Sequence, residues 1–341
     1  MQAAPRASTQ QAVETILPVL KSFPTNEVAI IGCHSHPGMS RPSCEYNLLI
    51  VSREPVPAKF VRMGGGYAEI LFKSEHEIRQ PEVDLAMALS SAIPLRDNSL
   101  LLASAIAESK RSFRNDCKKS METRLASSLK ALGRVDELLA AGQVREADYW
   151  LLSSACEFAE AELLTNGVVP APSHILTQLK ALPKRKSSNF KQWAEGFGLE
   201  LSSKASCENR LEAVSVVFDA VRNTAVTGEL ATKMSRYREV EAIQVITAKA
   251  KDLEESMQSV EAYAYLGQEA VKSLLDLYTL HTTRVSLEKD YSSMIRDLTV
   301  GEDRLLSEEV TKSLGLVRTQ ENLRVAADGM KSAVSSLAKK I

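Results

Sequence analysis

The apolar positions change rhythm along the chain. Between residues 28 and 72 they fall in short continuous runs, Val28-Ala29-Ile30-Ile31 and Leu48-Leu49-Ile50-Val51, of the aliphatic and β-branched kind that suits buried strands. Lys59 to Met63 and Tyr67 to Phe72 flank Gly64-Gly65-Gly66, which predicts a turn between two further strands. Ahead of them Val13, Ile16, Leu17 and Leu20 recur at helical spacing from Thr9 to Phe23, entered by a Ser8/Thr9 cap and stopped by Pro24. Glu75 to Ala92 begins another helix.

From Asn98 onward the spacing is helical. Leu100 to Leu132 reads as one long helix with Gly133 or a nearby residue as its break, and Arg145 to Asn166 as a second that stops at Gly167. Pro170-Ala171-Pro172-Ser173 introduces a third over His174 to Leu182, followed by the polar connector Lys184-Arg185-Lys186-Ser187-Ser188. All twelve prolines lie at or before Pro183, and their absence beyond it permits long helices. There Ile243, Ile246, Ala250, Leu253, Met257, Val260, Ala264, Gly267, Val271, Leu274 and Tyr278 alternate spacings of three and four, a heptad seam that predicts coiled-coil packing. A capping box at Thr299 and Glu302 predicts a new helix with a stripe at Leu306, Val310, Leu314, Val317, Met330, Val334 and Leu337. Small residues on the first seam favour an antiparallel hairpin of these two helices, with a protein partner or homodimer through the same helices as the other use of the seam.

Composition narrows the classes. With 42 basic and 43 acidic residues the chain has no global field to recruit nucleic acid or an anionic membrane. No run approaches the ~18 apolar residues that span a bilayer, so no membrane partner is expected. Five scattered cysteines, an odd number, argue against a disulfide framework. Together with the lack of a secretory-type start, they predict a cytoplasmic location.

The candidate chemistry lies where a strand ends in Gly32-Cys33 and, after a loop of turn formers, Cys44-Glu45-Tyr46-Asn47 leads into Leu48-Leu49-Ile50-Val51. Glu45 and Asn47 are two apart and share a strand face. Glu69 is one acid inside the apolar run Tyr67 to Phe72, costly there unless a cation compensates it. In these residues the chain resembles the nucleotidyltransferase superfamily that includes kanamycin nucleotidyltransferase and minimal prokaryotic members. The family signature is Gly-Ser after a strand, then Ser-Asp-x-Asp leading into the next, then an acid on a later strand. Gly32-Cys33 falls on Gly-Ser, Cys44-Glu45-Tyr46-Asn47 on Ser-Asp-x-Asp, and Glu69 on the third acid. The resemblance covers about residues 10 to 80.

It implies that Glu45, Asn47 and Glu69 act as catalytic and metal-binding residues around Mg²⁺, while Gly32, Cys33 and Cys44 lie under the phosphates of an NTP substrate. The departures are chemical. Asn47 brings no charge where the family has a metal-bridging Asp, Glu45 and Glu69 are each longer than Asp, and thiols are poor donors to phosphate oxygens. The Arg-x4–6-His motif of RNases found with minimal members is missing at His174 and His281.

Two other clusters read more plainly. Cys33, His34, His36, Cys44 and Glu45 do not match zinc-ligand spacing, so a loop with solvated histidines is expected. Lys110, Arg114 and Lys118 recur at i, i+4 and i+8, a candidate ridge for a nucleotide or nucleic acid that reads first as a solvated helix face.

The expected architecture is α+β: a small mixed-sheet nucleotidyltransferase-like domain over residues 1–93, a helical bundle over 94–200, and a long-helix, coiled-coil-like hairpin over 201–341. Two functions are in view. One is NMP transfer from an NTP to a hydroxyl acceptor. The other is an inactive transferase-like binding or scaffold protein, a pseudoenzyme working through its helical surfaces.

Overall fold

In this computed structural model residues 9–341 are described apart from 24–25, 37–38, 55, 64–65, 184–188, 225–227, 256–258, 286–289 and 340–341. Ser8, Gly64, Gly65, the connector at 184–188 and Met257 therefore lie outside the described residues.

Helix α1 (Thr9–Leu20) precedes strands β1 (Val28–Ile31), β2 (Tyr46–Val51), β3 (Lys59–Met63) and β4 (Gly66–Lys73). Short helices α2 (Glu75–Arg79) and α3 (Val83–Ser90) lead to β5 (Ile93–Arg96). The five strands form one mixed sheet in the order β3-β4-β2-β1-β5. β1 runs antiparallel to β2 and β5, β3 antiparallel to β4, and β2 parallel to β4.

The aliphatic runs are buried on both faces, as their lack of alternation predicts. One face places Val28, Ile30, Leu48, Ile50, Ala68 and Ile70 against Ile16, Val19 and Leu20 of α1. The other places Ala29, Ile31 and Leu49 against Ile78 of α2, Leu89 of α3 and the start of α4 (Leu101–Ala140) at Leu101, Leu102 and Ile106.

Three local differences from the sequence reading have simple causes. Glu75 to Ala92 is two helices, because the chain between them carries Pro81 and α2 is fixed by a Ser74–Glu77 capping box. β5 contains Pro94 and is only four residues long, so its pattern is weak; at the sheet edge a missing N–H is tolerated. α4 runs through Gly133 because Leu132, Val135 and Leu138 bury its apolar side there, and the chain leaves the helix before Gly142, at φ +73°.

The rest of the chain is helical: α5 (Val144–Thr165), α6 (Ile175–Ala181), α7 (Phe190–Phe197), α8 (Lys204–Asn223), α9 (Gly228–Lys233), α10 (Ser235–Arg238), α11 (Val240–Glu255), α12 (Ser259–Arg284), α13 (Met294–Thr299), α14 (Glu308–Ser313) and α15 (Gln320–Ala338). The chain divides into two compact units, one of residues 1–120 with 229–252, the other of residues 121–228 with 253–341. This division differs from three consecutive segments. The stretch carrying α10 and most of α11 belongs to the sheet unit, where α10 packs against β3.

In the helical unit α12 buries side chains all round, including Tyr263, Tyr265, Leu266, Leu274, Tyr278 and Leu280, so it forms a central helix rather than one edge of a two-helix seam. It packs mainly against α8, with α5 and α6 alongside, while α15 packs against α5 and α7. Thr299 ends α13, its hydroxyl donating to Ile295 O at 2.8 Å, where the sequence predicts a helix start. Among the described residues no helix is long and apolar enough to cross a membrane.

Candidate functional site

The site is built where β1 ends. Gly32 takes φ +73° and turns the chain into a short 3-10 turn, Gly32–Ser35, closed by Ser35 Oγ donating to Gly32 O at 2.7 Å. Only glycine adopts that backbone without strain, and there is a second reason for it: a Cβ at residue 32 would lie 2.8 Å from Asn47 Nδ2. Gly32 and Asn47 are thus neighbours.

Asn47 stands opposite Ile31 on β1 and opposite Glu69 on the parallel strand β4. Registered residues on adjoining strands share a face, so Asn47 and Glu69 project together from the side of the sheet that carries Ala29, Ile31 and Leu49. Glu69 is half-buried.

Glu45 lies just before β2 and has a partner of its own. Lys249 of α11 brings Nζ to 2.5 Å from Glu45 Oε2, with the two side chains 11% and 12% exposed. Burial alone would raise the Glu45 pKa. The charge and hydrogen bond of Lys249, with the charge of Arg236, outweigh that and hold the carboxyl below its usual range. The same helix is fastened by Ser43 Oγ donating to Asp252 Oδ2 at 2.7 Å and Tyr67 Oη donating to Gln244 Oε1 at 3.0 Å. Sequence reasoning missed Lys249 and Arg236. Both lie about two hundred residues from Glu45 in a helical stretch, and nothing in a helix pattern separates one lysine from its neighbours.

Cys33 and Cys44 are buried with their sulfurs within 4.8 Å of each other. The Cys33 thiol is pushed far up by its hydrogen bond to Cys44 and by burial. The backbone N–H of Arg41 donates to Cys44 Sγ at 3.3 Å. His34, expected in a solvated loop, is instead buried and stacked on Tyr46 with ring centroids 4.1 Å apart. The loop folds inward because Gly32 reverses it onto the sheet.

A magnesium ion is poorly matched to this donor set. Hard cations bind through charged oxygens, and their affinity follows ligand charge. Glu45 is already neutralised by Lys249, Asn47 is uncharged with its amide nitrogen against Gly32, and Glu69 is the remaining acid of the three. No step through the metal follows from these residues. Elsewhere in the sheet unit, Lys110, Arg114 and Lys118 are exposed on α4, as a solvated ridge requires.

No family model matches the chain, and no curated protein matches it. Among solved structures, it is similar to a nucleotidyltransferase-like protein from Exiguobacterium sibiricum 255-15, at 13% sequence identity over 74% of this chain and 80% of that one. The TM-score is 0.35.

Proposed function

We propose that this chain is a nucleotidyltransferase-like protein without metal-dependent transfer chemistry, acting as a binding or scaffold protein through its helical surfaces. The observation that carries the reading is the buried Lys249–Glu45 pair. At the position where the family resemblance calls for a carboxylate on a divalent cation, the carboxylate is held by a cation of the chain itself. Asn47 supports the reading, since the neutral amide removes a second charge from the set.

Isothermal titration of ATP with Mg²⁺ tests it. The expected result is no magnesium-dependent binding at millimolar ligand and no NMP transfer to any hydroxyl acceptor offered. Magnesium-dependent binding that Glu45→Gln abolishes would overturn the reading.

One observation favours the active alternative. Asn47 and Glu69 are registered on adjoining strands beside Gly32, as a transferase acting on an NTP would need. In that alternative Glu45, Asn47 and Glu69 hold Mg²⁺, and Gly32, Cys33 and Cys44 face the phosphates. The same titration separates the two.

A further inference from the structure

Cys33 and Cys44 stand where the family resemblance expects hydroxyls, so both substitutions put sulfur at one place. Cys33 lies in the turn after β1 and Cys44 just before β2, and the antiparallel pairing of those strands brings the two positions together. Their thiols are 7% and 3% exposed, lie within 4.8 Å, and are hydrogen-bonded to each other. Sequence spacing alone disfavours this pairing, because it matches no C-x-x-C motif; the fold supplies the proximity instead.

We infer that Cys33 and Cys44 form a two-sulfur binding site for a soft monovalent metal ion of the cuprous class. Soft thiolates select such ions over hard dications. A structural zinc ion takes four ligands in most proteins, and its close-pair spacing is absent here. Two sulfurs suffice for a two-coordinate cuprous ion. On binding, each thiol releases its proton to solvent and each sulfur donates a lone pair to the metal, with no change of oxidation state. The resulting pair of thiolates around one cation carries a net charge of minus one. Around Cys33 the charge of Glu45 opposes the thiolate more than that of its partner Lys249 favours it, so the charge of the bound cation itself offsets the thiolates. The short Gly32–Ser35 turn and the Arg41 N–H on Cys44 Sγ hold the sulfurs in place before metal arrives. The site rests on the two sulfurs alone and is independent of whether the chain transfers nucleotides.

The test uses the reduced full-length chain under anaerobic conditions, with Cu(I) titrated against a chromogenic cuprous chelator. The expected result is one equivalent retained per chain. Cys33→Ser and Cys44→Ser should each weaken retention by more than the ~100-fold that loss of a merely supporting residue costs. Cys117→Ser should leave it unchanged. X-ray absorption on the copper-loaded wild-type chain gives a readout that does not depend on the variants folding, and two sulfur neighbours are expected. Complete stripping of copper from the wild type by the chelator overturns the inference. So does a metal shell without sulfur, or undiminished retention in both serine variants.

Discussion

The ammonium of Lys249 stands 2.5 Å from Glu45 Oε2, and neither side chain has much access to water. The two residues are far apart in sequence yet belong to one compact unit, because residues 229–252 return to the sheet. A lysine tethered by a helix differs from a bound ion in that it cannot exchange. It satisfies the carboxylate at all ion concentrations and offers no open coordination position to a phosphate. That is the physical basis of the proposed function.

Removing that lysine should be costly. Lys249→Met leaves Glu45 enclosed without its counter-charge, and breaking a buried pair from one side costs about 3 kcal/mol or more. Lys249→Met combined with Glu45→Gln should recover most of the loss, because the orphaned charge goes too. Denaturant unfolding of wild type, Lys249→Met, Glu45→Gln and the double variant measures the coupling, and additive effects would show that the pair is not the compensating interaction. In the wild type the Glu45 pKa is lowered on folding, so its contribution is present above the usual carboxylate range and is lost as pH falls through it.

Gly32→Ala tests the turn. The φ of +73° costs an L-residue about 1–2 kcal/mol, and the new Cβ would press on Asn47 Nδ2. Adding Asn47→Ala to Gly32→Ala should recover the steric part and not the backbone part. Full recovery would mean that the positive φ carries no strain, and no recovery that Asn47 does not crowd the turn.

Much of the sheet was legible in the sequence, and the reasons are local. The bounds of Val28–Ile31 are legible because an apolar run between turn formers has few alternatives at that length, and those of Lys59–Met63 because the glycines after it mark a turn. What could not be read was tertiary. The seam from Ile243 to Tyr278 is continuous in sequence, but α11 begins in the sheet unit and α12 lies at the centre of the helical one. Heptad spacing records that one side of a helix is buried, and it does not record against what. Lys249 was invisible for the same reason, since its partner is fixed by a chain return that no local pattern encodes.

Asn47→Asp restores the charge that the family resemblance expects, and its outcome depends on whether a metal is there. Asn47 is registered opposite Glu69 on β4, and like charges opposite each other on adjoining strands cost roughly 0.2–1 kcal/mol. The variant should be less stable than wild type by that order in thermal unfolding, with millimolar Mg²⁺ giving no relief. Stabilisation by Mg²⁺ would instead reveal a metal site formed by Asp at this position and Glu69.

Stability should also rise with pH between 5.5 and 7.5. His281 is buried in α12, and burial, with the charge of Arg284, lowers its pKa against the smaller pull of Asp297 and Asp303. The unfolded chain therefore binds the proton first as pH falls, and stability is lost through the ordinary histidine range. His36, lowered by burial, acts in the same direction. Each group adds a slope of at most about 1.4 kcal/mol per pH unit. Urea midpoints across this range check the slope, and His281→Gln should flatten it. An unchanged slope in the variant would place the effect elsewhere.

The helical unit has its own buried pair, and it should be the more sensitive one. Asp148 on α5 is 1% exposed and Arg318, just before α15, is 4% exposed. Arg318 donates to Asp148 through its backbone N–H at 2.9 Å and through Nε at 2.7 Å, and its Nη1 donates to the carbonyls of Glu195 and Gly196 at 2.7 and 3.1 Å. One guanidinium therefore ties α5, the end of α7 and the entry to α15 together. Asp148→Ala leaves that charge enclosed beside the buried guanidinium of Arg210 and removes an acceptor from a buried N–H, a loss of about 3–5 kcal/mol. Asp148→Asn keeps the shape and one acceptor oxygen, so it should cost less than the alanine change while still lowering the unfolding midpoint. Arg318→Lys should not substitute, because an ammonium cannot reach the carboxylate and two carbonyls in the planar fork that a guanidinium presents. Chemical denaturation of the three variants ranks them. An Asp148→Ala chain as stable as wild type would show that the fork, and not the charge pair, holds the three segments.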